Sequence, residues 1–172
     1  MEIVVLVDDN WGIGFAGDQL IRIKEDLQKF KKITDKGVVV YGRKTLDTFP
    51  KAKILKDREN WILSRTVKEV EGAKVFQDID TLIQKIKEAE AAGKKVFCIG
   101  GTEIYEQLLP YVKVCHVSKV HKSFENVDRY FPNLDKSADW NLTEKSEHKY
   151  SESAGVSYSF NKYERRSQRG EI

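Results

Sequence analysis

Short runs of apolar, mostly β-branched residues alternate with stretches of helical periodicity from Ile3 to Val120, and this alternation restricts the fold more than any other feature. Strands are expected at Ile3 to Val7, Val38 to Tyr41, Trp61 to Ser64, Lys74 to Phe76, Val96 to Ile99 and Val114 to Val120. Most are continuously apolar, the pattern of strands covered on both faces. Helices are expected at Glu25 to Thr34, Arg43 to Phe49, Ile79 to Ala92 and Thr102 to Leu109. In the third, Ile79, Leu82, Ile83 and Ile86 form one stripe and Gly93 can end it. Past Pro132, Trp140 to Tyr150 and Val156 to Tyr163 alternate apolar with polar residues around the turn-like Glu152-Ser-Ala-Gly155, which reads as an antiparallel hairpin on a sheet edge. The expected architecture is a single α/β domain with a predominantly parallel, twisted central sheet of about eight strands, that C-terminal hairpin, and about four flanking helices. It should span residues 1–166, leaving 167–172 as a frayed tail.

Composition excludes several classes. No apolar run approaches the roughly 20 residues that cross a bilayer, and Asp8, Asp9 and Asn10 interrupt the first run before a secretory core could form. A cytoplasmic chain starting at Met1, with no membrane partner, is expected. Cys98 and Cys115 both lie in apolar runs, where thiols act as small buried hydrophobes in a reduced compartment. The 30 Lys and Arg against 27 Asp and Glu are interspersed, so the net +3 marks no nucleic-acid surface; the one local exception is Arg165, Arg166 and Arg169.

Two strand-to-helix junctions share a layout. Tyr41 is followed by Gly42, Arg43, Lys44 and Thr45, and Ile99 by Gly100, Gly101 and Thr102. Free N–H groups at a helix start attract anions, and glycine lets the backbone approach them. Either junction alone is an ordinary turn. Two together, with Ser64 and Arg65 closing a third strand at the same end of the sheet, suggest a ligand with more than one phosphate. The Gly-x-Gly-x-x-Gly fingerprint of an ordinary Rossmann domain is missing.

In Arg22 to Lys31, the stripe is Ile23, Leu27 and Phe30, and Asp26 lies at its margin. A solvated acid complementing the helix dipole explains Asp26 most simply; if the stripe lines a cleft, Asp26 becomes a carboxyl with raised pKa. His116 and His121 should point to opposite sides of a strand, and His148 is remote, so no metal site is expected.

Six motifs in order give the chain a specific likeness. Asn10-Trp-Gly-Ile-Gly14, Glu25-Asp-Leu-Gln-Lys-Phe30, Tyr41-Gly-Arg-Lys-Thr45, Asn60-Trp-Ile-Leu-Ser64, Ile99-Gly-Gly-Thr-Glu-Ile-Tyr105 and Asp128-Arg-Tyr-Phe-Pro132 resemble the dihydrofolate reductase family, over about Ile3 to Arg166. The resemblance implies hydride transfer from NADPH to C6 of dihydrofolate with protonation at N5, in a monomer that also takes antifolates. On matching positions, Asp26 would bind the pterin and promote protonation, supported by Ser118, with Tyr105 stabilising charge on the nicotinamide. Val4, Leu6, Leu27, Phe30, Thr48, Phe49, Leu55 and Ile99 would surround the substrate, and Arg58 would grip its glutamate carboxylate.

The cofactor residues implied are Leu6, Ile13, Gly42, Arg43, Lys44, Thr45, Leu63, Ser64, Arg65, Ile99, Gly100, Gly101, Thr102, Glu103, Ile104 and Tyr105, with Arg43 and Arg65 reading the 2′-phosphate. Asp9 to Ile23 correspond to the family's mobile loop, although Leu20-Ile21 stands where many members have Pro-Trp and Ile21 cannot donate a hydrogen bond; Gln19 replaces a common apolar residue. The competing readings are the NADPH-dependent reductase of riboflavin synthesis, which needs neither Asp26 nor Arg58, and a basic nucleic-acid module. For the latter, Lys29, Lys31 and Lys32 read more simply as a solvated helix face.

Overall fold

The computed structural model describes residues 1–167, so Arg169 and most of the expected tail lie outside the described residues. In chain order the elements are β1 (Glu2–Val7), β2 (Gly12–Phe15), β3 (Asp18–Gln19), α1 (Lys24–Thr34), β4 (Val38–Gly42), α2 (Arg43–Leu46), β5 (Glu59–Leu63) and β6 (Ala73–Phe76). They continue with α3 (Ile79–Ala91), β7 (Val96–Gly100), α4 (Thr102–Leu108), β8 (Val114–Val120), β9 (Arg129–Tyr130), β10 (Trp140–Lys145), β11 (Lys149–Ser151) and β12 (Val156–Arg165).

The main sheet runs β10-β12-β8-β1-β7-β4-β5-β6, with β11 paired to β12. From β8 to β6 every pairing is parallel, and β12 joins β8 antiparallel. The two faces follow from strand alternation. Ile3, Val5 and Val7 of β1 enter the larger core with Val38, Val40 and Cys98 and with Leu82 and Ile86 of α3, while Val4 and Leu6 point the other way. On that second face lie Val39, Tyr41, Phe97 and the half-buried Ile99, and α1 packs against them through Ile33, while the fully buried Ile23 just before α1 joins a neighbouring cluster with Leu6. Many of the residues expected at the site lie along this second face and at the C-terminal ends of β4 and β7.

Four local expectations change. The second helix stops at Leu46, because Phe49 precedes Pro50 and takes extended angles (φ −78°, ψ 155°), while Thr48 and Phe49 bond back three residues to Thr45 and Leu46. Trp140 to Tyr150 is two strands, broken at Ser146, whose N–H donates to Phe160 O at 2.8 Å and whose hydroxyl accepts from Phe160 N at 2.8 Å. That break folds His148 back onto His121, ring centroids 3.8 Å apart, so His148 is not remote. Leu27 is 48% exposed and so not part of a buried stripe.

The segment from Gly12 to Gln19 is also built, not merely a loop: β3, β2 and β9 form a small sheet. Asp8 anchors its entry. Its buried carboxylate accepts from Gly12 N at 2.8 Å, Asn10 N at 2.9 Å and Phe124 N at 3.2 Å, an Asx-type turn that ties this segment to the end of β8.

Candidate active site

Asp26 occupies the first turn of α1 and turns toward β8, where the Ser118 hydroxyl donates to its carboxylate. Register brings Leu6 of β1 opposite Ser118, so an apolar strand residue flanks the pair. Burial pushes the Asp26 carboxyl above its ordinary value, opposed by the Ser118 hydrogen bond and then by the positive charge of Lys29. The solvated-acid alternative therefore does not describe Asp26.

Further along the same cleft, Arg58 is held ready. Its Nε donates to Lys56 O at 2.8 Å, its Nη1 donates to Thr34 Oγ1 at 3.1 Å, and its guanidinium lies 5.9 Å from the Phe30 ring centroid. The Thr34 hydroxyl in turn donates to Phe30 O at 2.9 Å, so α1 itself fixes the arginine. No carboxylate closes an ion pair with Arg58 among the described residues. Its Nη2 makes no hydrogen bond to another described residue, which leaves part of the planar guanidinium donor set uncommitted.

The segment carrying Leu55 and Arg58 is tied down by Asn60, which is 1% exposed. Its Oδ1 accepts from Tyr41 Oη at 2.8 Å and Leu55 N at 3.0 Å, while its Nδ2 donates to Leu55 O at 2.9 Å and Arg58 O at 3.2 Å. Asn60, Thr34 and Asp8 are site-shaping residues that sequence reasoning missed. Asp8 and Thr34 had a signal in principle, a turn-type Asp-x-Asn and a hydroxyl in a helix's last turn; Asn60 opens one of the six motifs, but its partners, Tyr41 of β4 and an irregular loop, follow from no sequence period.

The two glycine junctions are neighbours. Tyr41 of β4 pairs with Gly100 of β7, and a Cβ added to Gly101 would lie 3.6 Å from Thr45 Oγ1. Neither Gly42 nor Gly101 caps its helix with a side chain, so the first N–H groups of α2 and α4 have no side-chain partner. Gly100 has φ +122°, and a Cβ there would sit 3.4 Å from the Tyr105 hydroxyl, which donates to Val4 O at 2.9 Å. The peptide joining Gly100 to Gly101 is cis. Arg43 pairs with Asp47 at 2.9 Å across an exposed turn, and Lys44, Arg65 and Glu103 are exposed nearby. Ser64 is buried and its hydroxyl accepts from Val67 N at 3.0 Å.

The expected residues do not all converge. Val4, Phe49, Leu55 and Ile99 pack in one cluster, Leu6 joins a second around Ile23, and Ile13, Leu63, Ile104 and Tyr105 belong to the core on the other face. Ile104 lies under Gly42, whose added Cβ would meet it at 3.3 Å, so it supports the cradle from below. Thr48 donates to Thr45 O at 2.7 Å. Of the basic tail, Arg165 is used by the fold, donating to Val112 O at 2.8 Å and Leu109 O at 2.6 Å.

A parallel sheet that ends in paired, glycine-lined helix starts and carries a half-buried carboxyl and an arginine without an ion-pair partner on one face defines an enzyme for two anionic small molecules. The family model described as dihydrofolate reductase matches residues 1–165, and the chain belongs to that family of NADPH-dependent oxidoreductases. It is 30% identical over 164 residues to a dihydrofolate reductase of Bacillus subtilis (strain 168), covering 95% of this chain and 93% of that one. It is 31% identical over 168 residues to one of Staphylococcus haemolyticus, covering 96% and 95%. In fold it is similar to a solved structure titled dihydrofolate reductase from Enterococcus faecalis complexed with NADP(H) and RAB-propyl, with TM-score 0.83, 22% identity and 96% of each chain covered.

Proposed function

We propose that Asp26 is the acid–base residue of this chain's reduction of dihydrofolate to tetrahydrofolate, and that Arg58 holds the substrate's glutamate carboxylate. One observation carries the proposal: the Asp26 carboxyl is half-buried beside β8 and hydrogen-bonded to Ser118, with desolvation raising its proton affinity. A carboxyl of that kind accepts hydrogen bonds from a ring N–H and amino group of a pterin when ionised, and takes up a proton near neutral pH more readily than a solvated one. Val4, Leu6, Phe30, Phe49, Leu55 and Ile99 supply the apolar walls, and half-exposed Leu27 supplies the rim.

NADPH, when bound, supplies the hydride. The residues present fit it: uncapped N–H groups at Gly42 to Thr45 and at Gly101 to Thr102 suit phosphate oxygens, and a side chain at Gly101 would fill the space beside Thr45. Arg43 and Arg65 are the cations for a 2′-phosphate. The exposed Arg43 to Asp47 pair offers little resistance, because surface ion pairs contribute about 0 to 1 kcal/mol. Tyr105 stays protonated, since burial pushes its hydroxyl well above the ordinary range, and its bond to Val4 O fixes the β1 carbonyl at the cleft.

No helix among the described residues is long and apolar enough to cross a membrane, and a cytoplasmic location is part of the same reading. So is a monomer: the exposed large hydrophobics Phe15, Leu27, Tyr111, Tyr130, Leu142 and Tyr150 are spread over separate elements. The test of the function is oxidation of NADPH on addition of dihydrofolate, with Asp26→Asn losing most of the rate at neutral pH.

A further inference from the structure

Arg58 stands among lysines that the fold leaves without partners. The last turn of α1 and the bend after it carry Lys31, Lys32 and Lys36, and the loop before β5 carries Lys51, Lys53 and Lys56; all six are exposed. Hydrogen bonds draw these two segments together at the arginine. Lys36 N donates to Asp57 O at 2.9 Å, Arg58 Nε to Lys56 O at 2.8 Å, and Arg58 Nη1 to Thr34 Oγ1 at 3.1 Å. None of the six lysines makes an ion pair within 4.0 Å among the described residues. Lys29 of the same helix does not belong with them, because its ammonium lies 4.1 Å from the Phe160 ring centroid and not on a solvated face.

With Arg58 included, residues 31–36 and 51–58 hold seven cations against two acids, Asp35 and Asp57. That is a net +5, where the whole chain has only +3, so the rest of the chain is net negative. On the opposite face of the sheet, α3 sets Lys85 and Lys87 against Asp80, Glu88 and Glu90. The charge of this protein is therefore polarised, and its positive pole is the Arg58 end of the cleft.

We propose that these lysines form an electrostatic funnel for the substrate: they speed capture of its anionic glutamate end and deliver it to Arg58, acting on the rate of association and not on the bound complex. The proposal rests on the reading of Arg58 given above. An unpaired surface ammonium is felt over about 10 Å at 0.1 M salt, and charges of one sign beside a cleft add their fields. Dihydrofolate has two carboxylates on its glutamate. Arg58 can take one of them as a planar pair, while the other stays in water within the field of the lysines. Charges at such a rim change the on-rate and its salt dependence, whereas a group in direct contact changes the off-rate.

Without NADPH no hydride is transferred, so stopped-flow tryptophan fluorescence on mixing with dihydrofolate gives the on-rate and off-rate of binding alone. Lys53→Glu with Lys56→Glu reverses two charges of the funnel, and Lys85→Glu with Lys87→Glu makes the same change in net charge on α3. The wild-type on-rate should fall about tenfold between about 10 mM and 0.5 M ionic strength, with the off-rate little changed. At low salt the funnel variant should bind about tenfold more slowly than wild type and converge on it at high salt, with kcat and off-rate kept. The α3 variant should stay within about twofold of wild type, and a pterin without the benzoylglutamate, uncharged near neutral pH, should show no salt dependence. A wild-type on-rate indifferent to salt, equal slowing in the two variants, or a funnel variant altered only in its off-rate would overturn the funnel. Arg58→Leu should raise the off-rate far more than it lowers the on-rate; an unchanged off-rate there would overturn the reading of Arg58 and with it the delivery step.

Discussion

Replacing Asn60 with alanine tests how the fold presents Arg58. The side chain makes four hydrogen bonds, to Tyr41 Oη, Leu55 N, Leu55 O and Arg58 O. Three of those partners belong to a half-exposed loop that water can reach, so each loss costs about 0.5 to 1 kcal/mol. The fourth, the Tyr41 hydroxyl, is fully buried and would keep no acceptor, which costs about 1 to 3 kcal/mol. The sum is about 4 kcal/mol, or roughly 10 °C in Tm for a domain of this size. Tyr41→Phe alone removes the hydroxyl, and adding it to Asn60→Ala should recover about 1 to 2 kcal/mol, because no stranded group remains. In steady-state assays Asn60→Ala should raise KM for dihydrofolate with kcat less affected, since the Arg58 backbone loses its tether. Chemical and thermal melts of the three variants, with KM and kcat, decide the matter. A Tm loss under about 3 °C with unchanged KM, or strictly additive effects in the double variant, would refute the reasoning.

Asp26→Asn should gain stability while losing activity. Because burial raises the folded carboxyl above its unfolded value, the neutral form is the stabilised one; the wild type loses stability as pH rises through the folded pKa, and below the unfolded pKa it matches the variant. Denaturant melts at neutral and acid pH should therefore show a gain that vanishes in acid, and a pH-independent difference would contradict it. Arg65→Ala, at an exposed position beside the cradle, should weaken NADPH binding about tenfold and leave NADH binding unchanged, as titrated by cofactor fluorescence; equal losses for both would remove the 2′-phosphate role.

The order of elements was legible because each apolar run of the parallel sheet is buried on both faces and each helical stretch carries its own period. The glycine junctions were legible as a pair, and their adjacency followed only when β4 came to lie beside β7. Leu27, Lys29 and His148 were misread for one shared reason: a helical or strand period says which residues share a face, not what covers it. Leu27 meets open space, Lys29 meets Phe160, and His148 meets His121 through a bend created by the backbone bonds of Ser146 to Phe160. The residue pattern alone favours a solvated Asp26; only the family resemblance pairs it with Ser118, 92 residues away in sequence, and β8 brings the two into contact. The tether at Asn60 depends on an irregular loop returning to a buried strand, a geometry with no sequence period.

The central claim is that this chain reduces dihydrofolate with NADPH through Asp26. It is tested most directly by rapid mixing of the preformed NADPH complex with dihydrofolate, following cofactor absorbance in a single turnover for wild type and Asp26→Asn. The account predicts stoichiometric oxidation by the wild type that slows as pH rises, and at least a hundredfold slower step in Asp26→Asn near neutral pH. No oxidation by pure wild-type protein, or equal rates in the two proteins, would contradict it.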